Sequence, residues 1–195
     1  MDFAWNDEQL DFRKEVIRFA KQELNDDMIQ RDHEEEFYWD GWKKCAKFGI
    51  HGLPMSPEYG GGGADVLTTV CGLEALGYGC QDNGLIFSIN AHMWSSEIPL
   101  ASFGTEEQKQ RYLPKLISGE WVGVHAMTEP MSGSDAYSLR TRAERHGDCF
   151  VLNGSKTFIT NATYADMIIV FATLDPAKGP AGITAFIVEK GTPGF

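Results

Sequence analysis

The chain has 195 residues, with 17 Lys and Arg against 28 Asp and Glu, a formal net charge of −11. That balance argues against nucleic acid and against an anionic lipid surface as partners, since both need clustered cations. A hydrophobic share of 43% and a charged share of 23% describe a globular chain with length for one large or two small domains.

Up to about residue 120 the pattern is helical. Leu10, Ile17, Ala20, Leu24 and Met28 recur at three- and four-residue steps, which predicts one amphipathic helix capped by Asn6 or Asp7. The acidic run Asp32 to Glu36 reads as a solvated helix end or loop. A second helix is expected over Trp39 to Phe48, stopped by Gly49. Pro54, Pro57 and the glycines 60 to 63 predict a flexible loop before helix resumes from Ala64 to Tyr78. Leu85 to Leu100 is apolar on most sides and predicts a buried helix. Thr105 with Gln108 forms a capping box that opens a helix over Glu106 to Ile117.

From Trp121 the grammar changes to short runs rich in Val, Ile, Thr and Phe. Phe150 to Leu152 is followed by Asn153-Gly154, a two-residue hairpin signal, so Lys156 to Thr160 reads as the returning strand. Asp166 to Thr173 and Gly182 to Glu189 predict two more strands. The expected class is therefore α+β: an all-helical domain over residues 1–120, then an antiparallel β domain over residues 121–195.

Several chemistries are excluded early. Cys45, Cys71, Cys80 and Cys149 form no CxxC pair, and Cys71 and Cys80 lie in apolar stretches as buried thiols, which fits a reducing, cytoplasmic compartment. The five histidines show no HExxH, so no metal site is expected. The first eight residues lack a basic region followed by an apolar run and do not read as a secretory signal. No apolar stretch of about 18 residues exists to span a membrane. The glycines 60 to 63 fail the dinucleotide pattern, because position 65 is Asp and no βαβ unit surrounds them. Gly154-Ser155-Lys156-Thr157 lacks the earlier glycine of a phosphate loop.

The loop Ala126 to Asp135 is more informative, since Pro130, Gly133, Thr128, Ser132 and Ser134 can turn several N–H groups and hydroxyls toward one ligand. Together with FGTEEQKQRYLPKLISGEW, VLNGSKTFITNA and FIVEKGTPGF, the segment AMTEPMSGSDAYSLRTRA resembles the acyl-CoA dehydrogenase family of flavoproteins. The resemblance runs over nearly the whole chain. It implies a helical N-terminal domain, a middle β domain that holds FAD, and a C-terminal helical bundle, which this sequence does not contain. The chain is accordingly expected to be the front part of such an enzyme.

What the resemblance implies for single residues is specific. His125 to Ser134, with Met127 inside it, would pair its main chain with the flavin ring edge. Thr128 would bond the pyrimidine side, Ser134 would sit near the pyrophosphate and the thioester's entry path, Phe158 would cover one flavin face, and Thr160 would reach flavin N5. His125 departs from the family's commoner aromatic or aliphatic residue. Glu129 reads as a carboxylate that fixes the loop, and no residue of this chain is assigned as the catalytic base. The implied reaction is α,β-dehydrogenation of an acyl thioester, either acyl-CoA or acyl carrier protein, with electrons passed to a separate acceptor by a homo-oligomer. The stretch EALGYGCQDNGLIFSINAHMW resembles the branch that acts on carrier-tethered acyl groups. Two other readings stay open: a non-catalytic binding or scaffold module, and a flavin oxidase or monooxygenase on the same scaffold.

Overall fold

The structure, a computed structural model, describes residues 4–195. Met1, Asp2 and Phe3, which belong to the stretch read against a secretory signal, lie outside the described residues. The chain divides into two units, residues 1–120 and 121–195, and each has its own core.

The first unit is helical. Helix α1 (Asp7–Glu23) starts at Asn6, whose side chain accepts from Gln9 N while Gln9 Oε1 accepts from Asn6 N, at 2.8 and 3.1 Å. The single long helix expected to reach Met28 ends sooner. Asn25 spends its side chain on another element, donating to Gly79 O at 2.9 Å and accepting from Gln81 N at 2.8 Å. Leu24 keeps its place in the core, and Met28 opens a separate short helix, α2 (Met28–His33). Helix α3 (Trp39–Phe48) stops at Gly49, which adopts φ +96°, a conformation that L side chains resist.

The glycine loop before α4 (Val66–Gly79) is tied down, against the expectation of flexibility. Gly62 N, Gly63 N and Ala64 N donate to Gly52, Met55 and Leu53 carbonyls, each at 2.8 Å. The apolar stretch that follows is not one regular helix. It runs as α5 (Asn83–His92), a π turn over Met93–Glu97 and α6 (Ile98–Phe103). Helix α7 (Glu106–Ile117) carries the Thr105–Gln108 capping box. No helix among the described residues is long and apolar enough to cross a membrane.

The core of this unit centres on Trp42, Leu24, Ile50, Leu76, Leu85, Ile89, Leu113 and Leu116. Burying side chains of this size contributes about 2 kcal/mol each. Trp42 satisfies its ring N–H by donating to Gly119 O at 3.0 Å. Beside it lies a polar inclusion of His51, His92, Ser96 and Glu97, all with no solvent exposure. His92 Nε2 is 3.1 Å from Glu97 Oε1 and 3.2 Å from Leu116 O. Its N–H geometry serves the carbonyl, and both Glu97 oxygens and both His51 nitrogens lack a hydrogen-bond partner among the described residues.

The second unit is a five-stranded sheet: β1 (Gly123–Ala126), β2 (Arg142–His146), β3 (Cys149–Asn153), β4 (Met167–Thr173) and β5 (Ile183–Glu189). It is mixed rather than antiparallel throughout. β4 and β5 pair antiparallel, as do β2 and β3, but β1 runs parallel to β4 with Gly123 opposite Met167. β2 meets β4 in parallel at the single pair Arg142 and Thr173. β4 pairs on both edges and is also buried on both faces, and its sequence Met-Ile-Ile-Val-Phe-Ala-Thr accordingly shows no alternation of polar residues.

The hairpin is also displaced. β2 and β3 turn at Gly147-Asp148, with His146 opposite Cys149, and Lys156 to Thr160, expected as the returning strand, form none. Gly154 is there for space. A Cβ on it would lie 2.2 Å from Thr141 Oγ1, so only glycine lets the chain pass that close.

Candidate functional site

The site is built on the loop after β1 and the irregular segment after β3. Glu129 is its hub. Its side chain is 5% exposed, and its two oxygens accept four hydrogen bonds. They come from Arg140 N at 2.6 Å, Thr141 N at 2.9 Å, Thr141 Oγ1 at 2.5 Å and Lys156 Nζ at 2.8 Å. Burial by itself raises a carboxyl's pKa, but these donors outweigh it and hold Glu129 at about 2. A carboxylate so weakly basic and fully engaged is a structural anchor and not a proton acceptor, as the sequence reading had it.

Around this hub the chain closes on itself. Glu129 N and Ser132 N exchange bonds with each other's carbonyls at 2.9 and 3.1 Å, and Ser132 Oγ donates to Asp135 O at 2.8 Å. Thr157 N donates to Thr128 O at 3.0 Å. Lys156 Nζ donates to Met127 O at 2.9 Å. The two segments that carry the expected cofactor residues are thus stitched together at Met127–Thr128 and Lys156–Thr157.

Of those residues, His125 lies on β1, opposite Ile169, and its ring sits 4.8 Å from that of Phe171 on β4. Met127 and Thr128 follow β1 and are partly exposed. Ser134 lies on the exposed part of the same loop. Phe158 and Thr160 are one and three residues beyond the Thr157 contact. Phe158 is not the strand residue its apolar neighbours suggest. It is 93% exposed and held at φ +55°. A large aromatic in the left-handed region with an open ring is uncommon, and such a conformation persists where the surroundings fix it for a purpose.

An apolar cleft of about 630 Å³, lined by Val124, Ala126, Ile168, Val170 and Phe186 among others, adjoins the hub at Thr141 and Lys156. These β1 and β4 residues alternate with His125, Ile169 and Phe171, so the cleft faces away from His125. Met127, Thr128, Ser134, Phe158 and Thr160 do not line it. The residue the sequence reading missed is Lys156, which it considered only as part of a failed phosphate loop and a strand. A signal was present: Lys156 is the only charged residue between Asp148 and Asp166.

Two domain patterns match the chain: "Acyl-CoA dehydrogenase, N-terminal domain" over residues 6–120 and "Acyl-CoA dehydrogenase, middle domain" over residues 125–195. The short-chain-specific acyl-CoA dehydrogenase of Clostridium acetobutylicum is 43% identical over 195 residues, which is all of this chain and 51% of that protein. The crystal structure of the prolyl acyl carrier protein oxidase AnaB is 55% identical with a TM-score of 0.94, covering 97% of this chain and 50% of that one. The structure of PigA with FAD and proline is 40% identical with a TM-score of 0.94, covering all of this chain and 51% of that one. This chain therefore spans about half the length of the curated relatives it matches. With both domain patterns matched in order, helical unit first and sheet second, the chain belongs to the acyl-CoA dehydrogenase family.

Proposed function

We propose that this chain supplies the helical N-terminal part, residues 1–120, and the flavin-cradling part, residues 121–195, of an FAD-dependent dehydrogenase. Its substrate is an acyl thioester, and a prolyl-type group on a carrier protein is the reading that the 55% identity to AnaB favours over a free acyl-CoA. The observation that carries the flavin reading is the junction of the Thr128 and Phe158 segments, where Thr157 N donates to Thr128 O at 3.0 Å. Thr128 N–H meets no acceptor among the described residues, and Phe158, the residue after Thr157, has a ring open to solvent. A free donor and an exposed aromatic ring on two joined segments fit a planar, electron-rich ring system.

When bound, FAD supplies the acceptor for the hydride that leaves the substrate's β-carbon. The residues of this chain orient and bind. Thr128 would donate to the pyrimidine side of the ring, Met127 and His125 would line its edge, Phe158 would cover one face, Thr160 would bond near N5, and Ser134 would hold the pyrophosphate end and the thioester's approach. Glu129 is fully committed to its four donors, so it does not take the α-proton, and the family resemblance assigns that role to a Glu of the family's C-terminal domain. The four free cysteines support a reducing cytoplasm. A homo-oligomer, in which a second copy helps close the flavin pocket, completes the reading and is checked by light scattering.

The test is direct. The polypeptide carrying this chain is purified, incubated with FAD, and mixed anaerobically with prolyl carrier protein or with short acyl-CoA. Flavin retained and bleached by the prolyl thioester supports the proposal. A protein that stays colourless overturns it, and bleaching by acyl-CoA alone moves the substrate to the CoA side. AnaB's description as an oxidase favours a second reading of the final electron step, with dioxygen as acceptor. Rapid reoxidation of the bleached protein by air selects that reading over a separate electron-transfer partner.

A further inference from the structure

One ammonium group joins the loop after β1 to the segment after β3. Lys156 is 12% exposed at its side chain and reaches both Met127 O and Glu129 Oε1, at 2.9 and 2.8 Å. The peptide joining Met127 to Thr128 is trans, so its C=O and N–H point in opposite directions. With the carbonyl turned to Lys156, the Thr128 N–H is turned away from it. The next carbonyl, Thr128 O, is also drawn inward, by Thr157 N at 3.0 Å. Both carbonyls that flank Thr128 are consequently occupied, and the N–H between them is left outward without an acceptor among the described residues. Glu129 in turn keeps Lys156 in place, since a nearly buried ammonium needs an anion and oxygen acceptors close by.

We propose that Lys156 is a positioning residue which, held by Glu129, fixes the Met127–Thr128 peptide so that Thr128 N–H is presented to the electron-rich edge of the bound flavin. The inference rests on the flavin reading above. Its consequence is electrical as well as geometric. A fixed N–H donor at that edge favours the negative charge of the reduced ring, so the orientation set by Lys156 raises the flavin's midpoint potential. Removing Lys156 frees the peptide to turn and the donor is lost.

The experiment uses the polypeptide carrying this chain, with Lys156→Met and the double variant Glu129→Gln/Lys156→Met. The single variant leaves a buried carboxylate without its cation and is prone to misfold. The double variant removes both charges together and leaves no buried ion unpaired, and the fold of each variant is checked by circular dichroism before it is used. Before FAD is added, the carbonyl carbon shift of Met127 is read by NMR. After loading, FAD affinity, the flavin absorption spectrum and the midpoint potential are measured. In both variants that fold, the Met127 shift moves, FAD binds up to about tenfold more weakly, as loss of one hydrogen bond to a neutral acceptor gives, and the potential falls. Lys178→Met, on an exposed cation of the same unit, leaves all of these unchanged. A double variant with the wild-type Met127 shift and the wild-type potential overturns the role given to Lys156. A wild-type protein that takes up no FAD overturns the flavin reading instead, and the Met127 shift still decides whether Lys156 sets the peptide.

Discussion

Phe158 and Glu129 are opposites at the scale of single residues. Phe158 is the most exposed large apolar side chain described here, at 93%, so truncating it removes little from the folded state. Phe158→Ala is expected to leave the melting temperature within about 2 °C, since a surface change away from the core moves stability by less than about 0.5 kcal/mol. The same change removes an aromatic face from the proposed flavin edge, worth about 1 kcal/mol, so FAD affinity should fall about fivefold. Fluorescence titration with FAD beside a thermal melt checks both, and a variant that keeps full affinity sinks the covering role. Glu129 is buried and bonded four times, and its contribution is to the shape of the loop. Its loop-fixing role followed from the resemblance. Its partner Lys156 did not, because the two are 27 positions apart and nothing in either segment alone calls for the other.

Among the elements, the turn after β3 and the π turn after α5 each carry a testable constraint. Residues 153–154 have the composition of a hairpin turn, yet Gly154 is required for its missing Cβ against Thr141. Gly154→Ala forces the chain off Thr141, which donates twice to Glu129. A loss of about 1–3 kcal/mol is expected from the overlap, read by chemical denaturation, and a neutral outcome would mean that the backbone there relaxes freely. In the π turn, burial pushes the carboxyl of Glu97 up from its ordinary value, against a smaller opposite pull from His92. A carboxyl raised in the folded state contributes fully only below its unfolded value of 4.5, and that stability is lost as pH climbs through the folded value. Glu97→Gln keeps a neutral polar group of the same shape and has no such dependence. The variant should gain over wild type as pH rises above 4.5. Melts across that range measure it, and a gap that narrows with rising pH contradicts the account. His51 beside it is held neutral by burial, so it offers Glu97 no compensating charge.

For the whole molecule, the charge of −11 acts as self-repulsion in the compact state. Raising salt from about 10 mM to about 0.5 M shortens the screening length from about 30 Å to about 4 Å, so the melting temperature should rise by about 2–5 °C. A flat or falling response would show that the surface ion pairs, such as Arg13–Glu74 at 3.1 Å, outweigh the net repulsion. The charge also bears on the proposed cofactor. A pyrophosphate has to be held by local N–H groups and hydroxyls of the Thr128–Ser134 loop, since the overall field opposes it.

By itself the sequence determined the helical first unit, its cap at Asn6 or Asp7, the capping box at Thr105, the stop at Gly49, the change of grammar at residue 121, and the polar loop after β1. These are legible because periodicity, caps and turn chemistry act within a few residues of one another. The tertiary structure alone decided the rest. It made β1 parallel to β4, moved the hairpin to Gly147-Asp148, broke the first helix at Asn25 to cap another, and joined Glu129 to Lys156. The physical reason is shared. A strand's partner, a glycine's missing Cβ and a buried ion pair are satisfied by groups far along the chain, and only folding brings those groups within bonding distance.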